Sequence, residues 1–121
     1  MGNFGDLRRC IFTATTTETV IGIDGSANGA KVPTNMRLLI WRIFIENKAD
    51  ADNTLSLVEE TSGEKIIGST TLSAKQKFER VGNRKDENPV AFINAGERIK
   101  ASTSAGNIEV EILYTLVPSG K

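Results

Sequence analysis

Apolar and polar side chains alternate with a period of two through most of this chain, as in IKAST at 99–103 and IEVEILYTLV at 108–117. No segment sustains a helical stripe with a cap at each end, so the chain is expected to be all-β. Strands are expected at 10–17, 19–23, 36–47, 54–60, 64–72, 77–81, 89–94, 98–103 and 108–117. Between them stand DGSANGAKVPTN, NKADADN, TSG, VGNRKDEN, NAGE and SAGN, rich in residues that tolerate left-handed backbone or bond their own main chain. SAKQKF at 73–78 fits either a strand or a helical turn. Eight or nine short strands in 121 residues make one antiparallel sandwich or barrel. The expected division is an arm at 1–9, a domain at 10–117 and a tail at 118–121.

The last two runs can be set in register. A turn at Ala105 and Gly106 would make a hairpin in which Thr103 faces Ile108, Ala101 faces Val110, Ile99 faces Ile112 and Lys100 faces Glu111. One side is then apolar throughout and the other matches opposite charges, and a slip of one residue would turn both charges into the core. On 36–47 the odd positions Leu39, Trp41, Ile43 and Ile45 form an unbroken apolar row. With Leu55, Leu57, Ile99, Val110, Ile112 and Leu116 they make up the expected core.

The residue inventory excludes most chemistry. Lys and Arg number 15 against 15 Asp and Glu, so no net field recruits nucleic acid or an anionic membrane, and neither is an expected partner. GNRKDEN at 82–88 is of mixed charge, with no aromatic to stack a base. No apolar run approaches the roughly 18 residues of a membrane span. The opening MGNFGDLRRC lacks a signal-peptide core, and Asp6 stands where a myristoylated start needs Ser or Thr. The single Cys10 cannot form an internal disulfide and no Asn-x-Ser/Thr acceptor occurs, so synthesis inside a cell is expected.

The absence of His removes the commonest general base, the imidazole triads and the usual zinc or copper ligand sets. Cys10, beside Arg8 and Arg9, reads as a small core residue and not as a nucleophile. Glu59 and Glu60 are adjacent on a strand and point to opposite faces, while Glu109 and Glu111 share a solvated one. Neither pair suits glycoside cleavage in a chain that is 6% aromatic. Asp50, Asp52 and Asn53 alternate like the start of a calcium loop but lack its glycine and distal Glu, which favours ordinary turn chemistry. GSANGAK matches no phosphate-binding loop. No enzymatic activity, cofactor or metal is expected. A sugar-binding sandwich would need exposed aromatic platforms, and with Trp41 and Tyr114 on apolar rows only Phe4 and Phe78 are left for that role.

The segments MRLLIWRIFIENKADADNTLSLVEETSGEKIIGSTTLSA and INAGERIKASTSAGNIEVEILYTLV resemble the central strands and the ending of small virion structural proteins of tailed phages and related viruses. In those proteins a long strand, an Asn-containing corner and an apolar hairpin follow one another. Later an Ala-Gly-Glu-like corner leads through a short strand and a small-residue turn into a last strand of alternating Val and Ile. The resemblance implies a jelly-roll antiparallel β-sandwich. It also implies a capsid decoration (cement) protein or another small virion component; a decoration protein would sit at the virion surface, be made in the host cytoplasm and bind the major capsid protein. No binding residue carries over. The reading kept beside it is a receptor- or glycan-binding fibre or spike module that uses the loops 24–35 and 81–88.

The even positions of 36–47 pose the remaining problem. Leu38, Ile40, Arg42 and Phe44 would face outward from a two-sheet sandwich, with Leu113 and Val117 beside them. Such a face needs a cover. The arm 1–9 or the loop 24–35 could fold over it, but both have few apolar groups to offer, which favours a second subunit. Leu38, Ile40, Arg42, Phe44, Leu113 and Val117 are therefore the expected interface of a homo-oligomer, with a trimer favoured. Arg42 would need a carboxylate, and Glu46 and Glu111 are the candidates.

Overall fold

The computed structural model describes residues 6–119. Its regular structure is strand throughout: β1 (Arg8–Ala14), β2 (Thr19–Ile21), β3 (Met36–Asn47), β4 (Asn53–Glu59), β5 (Lys65–Leu72), β6 (Lys77–Val81), β7 (Ala91–Ile93), β8 (Ile99–Thr103) and β9 (Ile108–Pro118). Each lies where the alternation places it. SAKQKF divides: Ser73 to Gln76 is a turn, closed by Gln76 N–H donating to the Ser73 carbonyl at 3.0 Å, and β6 begins at Lys77. The arm expected at 1–9 already contains the start of β1, and its first five residues, Phe4 among them, lie outside the described residues. The same holds for the last two residues of the tail.

Two antiparallel sheets form the sandwich, one in the order β1-β9-β3-β6 with β7 also on β3, the other in the order β2-β8-β4-β5. The pairings are nested: β1 with β9, β2 with β8, β3 with β6 and β7, β4 with β5. A long antiparallel hairpin rolled up on itself gives this arrangement, with most connections crossing from one sheet to the other, and it is the jelly-roll topology. Leu55, Leu57, Ile99, Val110 and Ile112 fill the space between the sheets as expected, joined by Cys10, Phe12 and Ala14 from β1.

The expected hairpin of the last two strands does not form. β8 pairs with β2 and β4, β9 pairs with β1 and β3, and residues 104–107 carry the chain across the sandwich. Ala105 N–H donates to Asn53 Oδ1 at 2.8 Å, and the Asn53 amide donates to the Gly106 carbonyl at 2.8 Å. Lys100 therefore never meets Glu111; its ammonium lies 4.0 Å from Glu18, and Glu111 stands between Ile11 and Phe44. Both strands do turn their apolar side to one core, but from opposite layers. A short turn permits either outcome.

The second correction lies in β3. Its ladder with β9 runs Leu38 to Leu116, Leu39 to Thr115 and Ile40 to Tyr114, then resumes at Arg42 with Leu113. Trp41 is an extra residue, a β-bulge, and it inverts the parity of the strand. Leu38 and Ile40 are buried in the core before it, Ile43 and Ile45 after it, and Leu39 stands half-buried on the outer side. The bulge also marks where the neighbour of β3 changes from β7, opposite Leu38 to Ile40, to β6, opposite Arg42 to Glu46. Here residues 82–90 loop out, pinned by Gly82 N–H to the Trp41 carbonyl at 2.7 Å and Val90 N–H to the Ile40 carbonyl at 2.8 Å. Because LLIWRIFI is apolar on both sides, its pattern contains no mark of where an extra residue falls.

Buried polar groups close the ends. Asn47, fully buried, donates to the carbonyls of Ala51 and Ser73 at 3.0 and 2.8 Å and accepts from Ala49 N–H and the Asn53 amide at 3.0 and 3.2 Å. It thus ties the loop after β3 to the turn after β5, and through Asn53 to the 104–107 crossing, and it gives NKADADN its shape. The loop 24–35 seats Val32 in the core. Arg98 anchors it further, reaching the carbonyls of Asn28 and Gly29 at 3.1 and 3.2 Å while gripping Glu60 with two bonds of 2.8 and 3.1 Å.

Candidate interaction face

Directly opposed residues of an antiparallel ladder share a face, so the pairings lay out the outer side of the β1-β9-β3-β6 sheet as rows. One row reads Arg9, Leu113, Arg42, Val81. The next reads Ile11, Glu111, Phe44, Glu79, and the third Thr13, Glu109, Glu46, Lys77. Beyond the bulge the face continues with Thr115, Leu39 and Phe92, then Val117 and Arg37. In the first two rows charged and apolar side chains alternate like a chequerboard.

Ion pairs join those two rows. Arg9 lies 3.1 Å from Glu111, and Arg42 binds Glu79 closely with Glu111 3.6 Å away. The hydrogen bond that Arg42 donates to Glu79 raises the Arg42 pKa above the ordinary arginine value, and the charge of Glu111 adds to the effect. The Arg42 guanidinium also lies 5.4 Å from the centre of the Phe44 ring. Pairs this open to water contribute about 0–1 kcal/mol each, so they order the face more than they stabilise the fold. Ile11 is 54% exposed, Val81 65% and Phe92 47%. Ile11 and Phe44 line a depression of about 180 Å³ together with Glu46, Glu109 and Glu111.

Of the residues expected at an interface, Arg42, Phe44, Leu113 and Val117 stand on this face; Leu38 and Ile40 do not, because the bulge turns them inward. Of the two carboxylates expected for Arg42, Glu111 is beside it, whereas Glu46 pairs with Lys48 at 3.4 Å. Glu79 was not foreseen. Ile11 was legible, since in RRCIFTA it sits at the parity opposite to Cys10 and Phe12. Phe92 was not, because its direction depends on which sheet β7 joins.

The other candidates resolve into structural roles. Burial, with Asp24 adding to it, pushes the Cys10 thiol up to about 12, so it stays protonated in the core. The Glu59 carboxylate is buried and accepts from Ser62 Oγ at 2.6 Å and from the Asn94 backbone and side-chain amides at 2.8 and 3.2 Å, tying the β4–β5 turn to the segment after β7. Glu60 turns the other way, to Arg98. Asp50 is 91% exposed and its one ion pair among the described residues is with Lys75, at 3.4 Å. Trp41 is buried yet lies apart from the core cluster; its indole N–H donates to Thr115 Oγ1 at 2.9 Å, and the Arg84 guanidinium sits 5.9 Å from its ring. Among the described residues no group of three or more Asp, Glu or Cys is placed to hold a metal ion.

No family model matches the chain, and no curated protein does. Among solved structures a similar chain occurs in the cryo-EM structure of the giant freshwater prawn Macrobrachium rosenbergii extra small virus (XSV) VLP. The two are 14% identical with a TM-score of 0.36, over 95% of this chain and 81% of that one. A similarity of this size fixes neither fold nor function.

Proposed function

We propose that this chain is a non-enzymatic virion structural protein, a capsid decoration (cement) protein that associates with itself through the outer face of the β1-β9-β3-β6 sheet and docks on the major capsid protein. One observation carries the reading. The outer side of a two-layer sandwich is ordinarily polar, yet here Ile11, Phe44, Leu113 and Val81 stand on four adjacent strands, with Leu39, Phe92 and Val117 continuing beyond the bulge. Full burial of such side chains is worth about 1.5–3 kcal/mol each, enough to hold subunits together. The loop 24–35, one of the two internal covers considered, is committed elsewhere by Val32 and Arg98. The resemblance of the strand and corner pattern favours a virion station, and a trimer is the oligomer expected from the sequence.

The rival reading, a receptor- or glycan-binding module, draws on a different observation: Phe92 is an exposed aromatic beside the 81–88 loop, with the Arg37 guanidinium 5.0 Å from its ring. Mass spectrometry of purified virus particles together with binding to capsids that lack the protein tests the first reading, and a glycan array tests the second. Phe44→Asp with Leu113→Asp is expected to dissociate the oligomer and abolish capsid binding while leaving the β-sheet circular dichroism unchanged. A wild-type chain that is absent from particles and fails to bind bare capsids would defeat the decoration role.

A further inference from the structure

The outer face is not evenly charged along its strands. From the β7 end, cations come first: Arg37, then Arg9 and Arg42 in one row. Anions follow: Glu111 and Glu79 in the next row, then Glu109 and Glu46, with Lys77 and Lys48 at that edge. The opposition is sharpest between the two central rows, Arg9 and Arg42 against Glu111 and Glu79, while at the far anionic edge Lys48 and Lys77 offset Glu46 and Glu109. Arg37 has no carboxylate partner among the described residues, and its Nε is buried without a hydrogen bond. Glu46 and Glu109 share Lys48, at 3.4 and 3.9 Å, on the rim of the depression that Ile11 and Phe44 floor.

We infer that a second copy of this chain docks face to face on this surface, about a two-fold axis that lies in the plane of the face, perpendicular to the strands, between the Arg9–Arg42 row and the Glu111–Glu79 row. The inference presupposes that this face is the self-association surface, and it replaces the trimer expected from the sequence. Charge selects the axis. A two-fold perpendicular to the strands reverses their direction and lays the cationic half of each copy on the anionic half of the other. Arg42 then comes over the partner's Phe44, flanked by the partner's Glu111 and the partner's Glu79. A two-fold along the strands would instead lay each row on itself, cation against cation. A ring of three needs two different patches on separate sides of the molecule, whereas both halves of this pattern lie on one face. Nine residues along β3 at ~3.4 Å and four strands at ~4.8 Å give about 1,100 Å² for the two copies together, just past the roughly 1,000 Å² expected of a specific interface.

Two measurements on the full chain test this. In sedimentation velocity the wild type is expected to show a monomer–dimer equilibrium. Arg9→Glu with Arg42→Glu, which makes the face acidic, and Glu79→Lys with Glu111→Lys, which makes it basic, each weaken self-association about tenfold or more, and a 1:1 mixture of the two restores the dimer. Circular dichroism checks that both variants are folded. Independently, Leu39→Cys and Glu46→Cys copies, mixed with a short bis-maleimide that bridges the roughly 10 Å between packed sheets, are expected to cross-link to each other and not to themselves, since the two positions lie at matching distances from the axis. The native Cys10 is buried and takes no part. Like-with-like cross-links, or a trimer, would overturn the two-fold arrangement while leaving the face as the interface. A monomer at millimolar concentration would overturn both.

Discussion

Removing side chains one at a time on either side of the bulge measures the parity of β3 directly. Ile40 is fully buried, opposite Tyr114 on β9 and Ala91 on β7, and both neighbours are held by ladder hydrogen bonds. Ile→Ala at such a site costs about 2–5 kcal/mol, and because Ala91 is too small to close the gap the expected value is about 3–4 kcal/mol. Leu39 is part-buried on the outer side, where its loss leaves no enclosed cavity, so Leu39→Ala costs about 1–2 kcal/mol. At about 4 °C per kcal/mol for a domain of this size, the two variants differ by about 4–12 °C in Tm, with Ile40→Ala the lower. Ile43→Ala is the control: Ile43 is in the core whether or not the bulge exists, and its loss costs about as much as that of Ile40. Urea unfolding at low micromolar concentration reads all three, with the single tryptophan, the buried Trp41 at the bulge, as reporter. If Leu39→Ala is as damaging as Ile40→Ala at an unchanged m-value, the strand runs without a bulge and the reasoning fails.

Asn47→Ala removes the partner of the Ala51 and Ser73 carbonyls, of the Ala49 N–H and of the buried Asn53 amide, and is expected to cost about 2–4 kcal/mol in the same urea assay, more than any single ion pair on the outer face. Cys10, its thiol pushed up to about 12, should resist a disulfide reagent at pH 8 in the native protein and react at once in urea; fast native labelling would show that β1 leaves the sheet. Hydrogen bonding to Arg98 holds the Glu60 carboxyl below its usual range. A depressed folded pKa means that this contribution is present above the ordinary carboxylate range and is lost as the pH falls through and below it. Wild type should therefore lose stability over that acid window more steeply than Glu60→Gln, and hydrogen exchange around Asn28 and Gly29, whose carbonyls Arg98 holds, should rise with it; identical acid profiles would rule the pair out as the anchor.

By itself the sequence determined which segments are strands and which side of most of them is wet. Alternation in IKAST and IEVEILYTLV is a local record of burial, since each strand must turn one side to the core whatever its neighbours are. The exclusion of imidazole chemistry is equally local. Tertiary structure alone decided which strands pair. Ile99–Thr103 and Ile108–Pro118 read as a hairpin because both present an apolar side and a short turn joins them, yet the same pattern serves two strands that face each other across the sandwich from different sheets. Tertiary structure also decided the parity of LLIWRIFI. Where both sides of a strand are apolar, periodicity contains no phase, and the phase was set by the point at which β7 gives way to β6 along β3, forcing Trp41 out of the ladder and turning Leu38 and Ile40 inward. The chequerboard of Arg9, Arg42, Glu79 and Glu111 among Ile11, Phe44, Leu113 and Val81 is assembled from strands far apart in the chain, so it exists only once the jelly roll has brought β1, β9, β3 and β6 side by side.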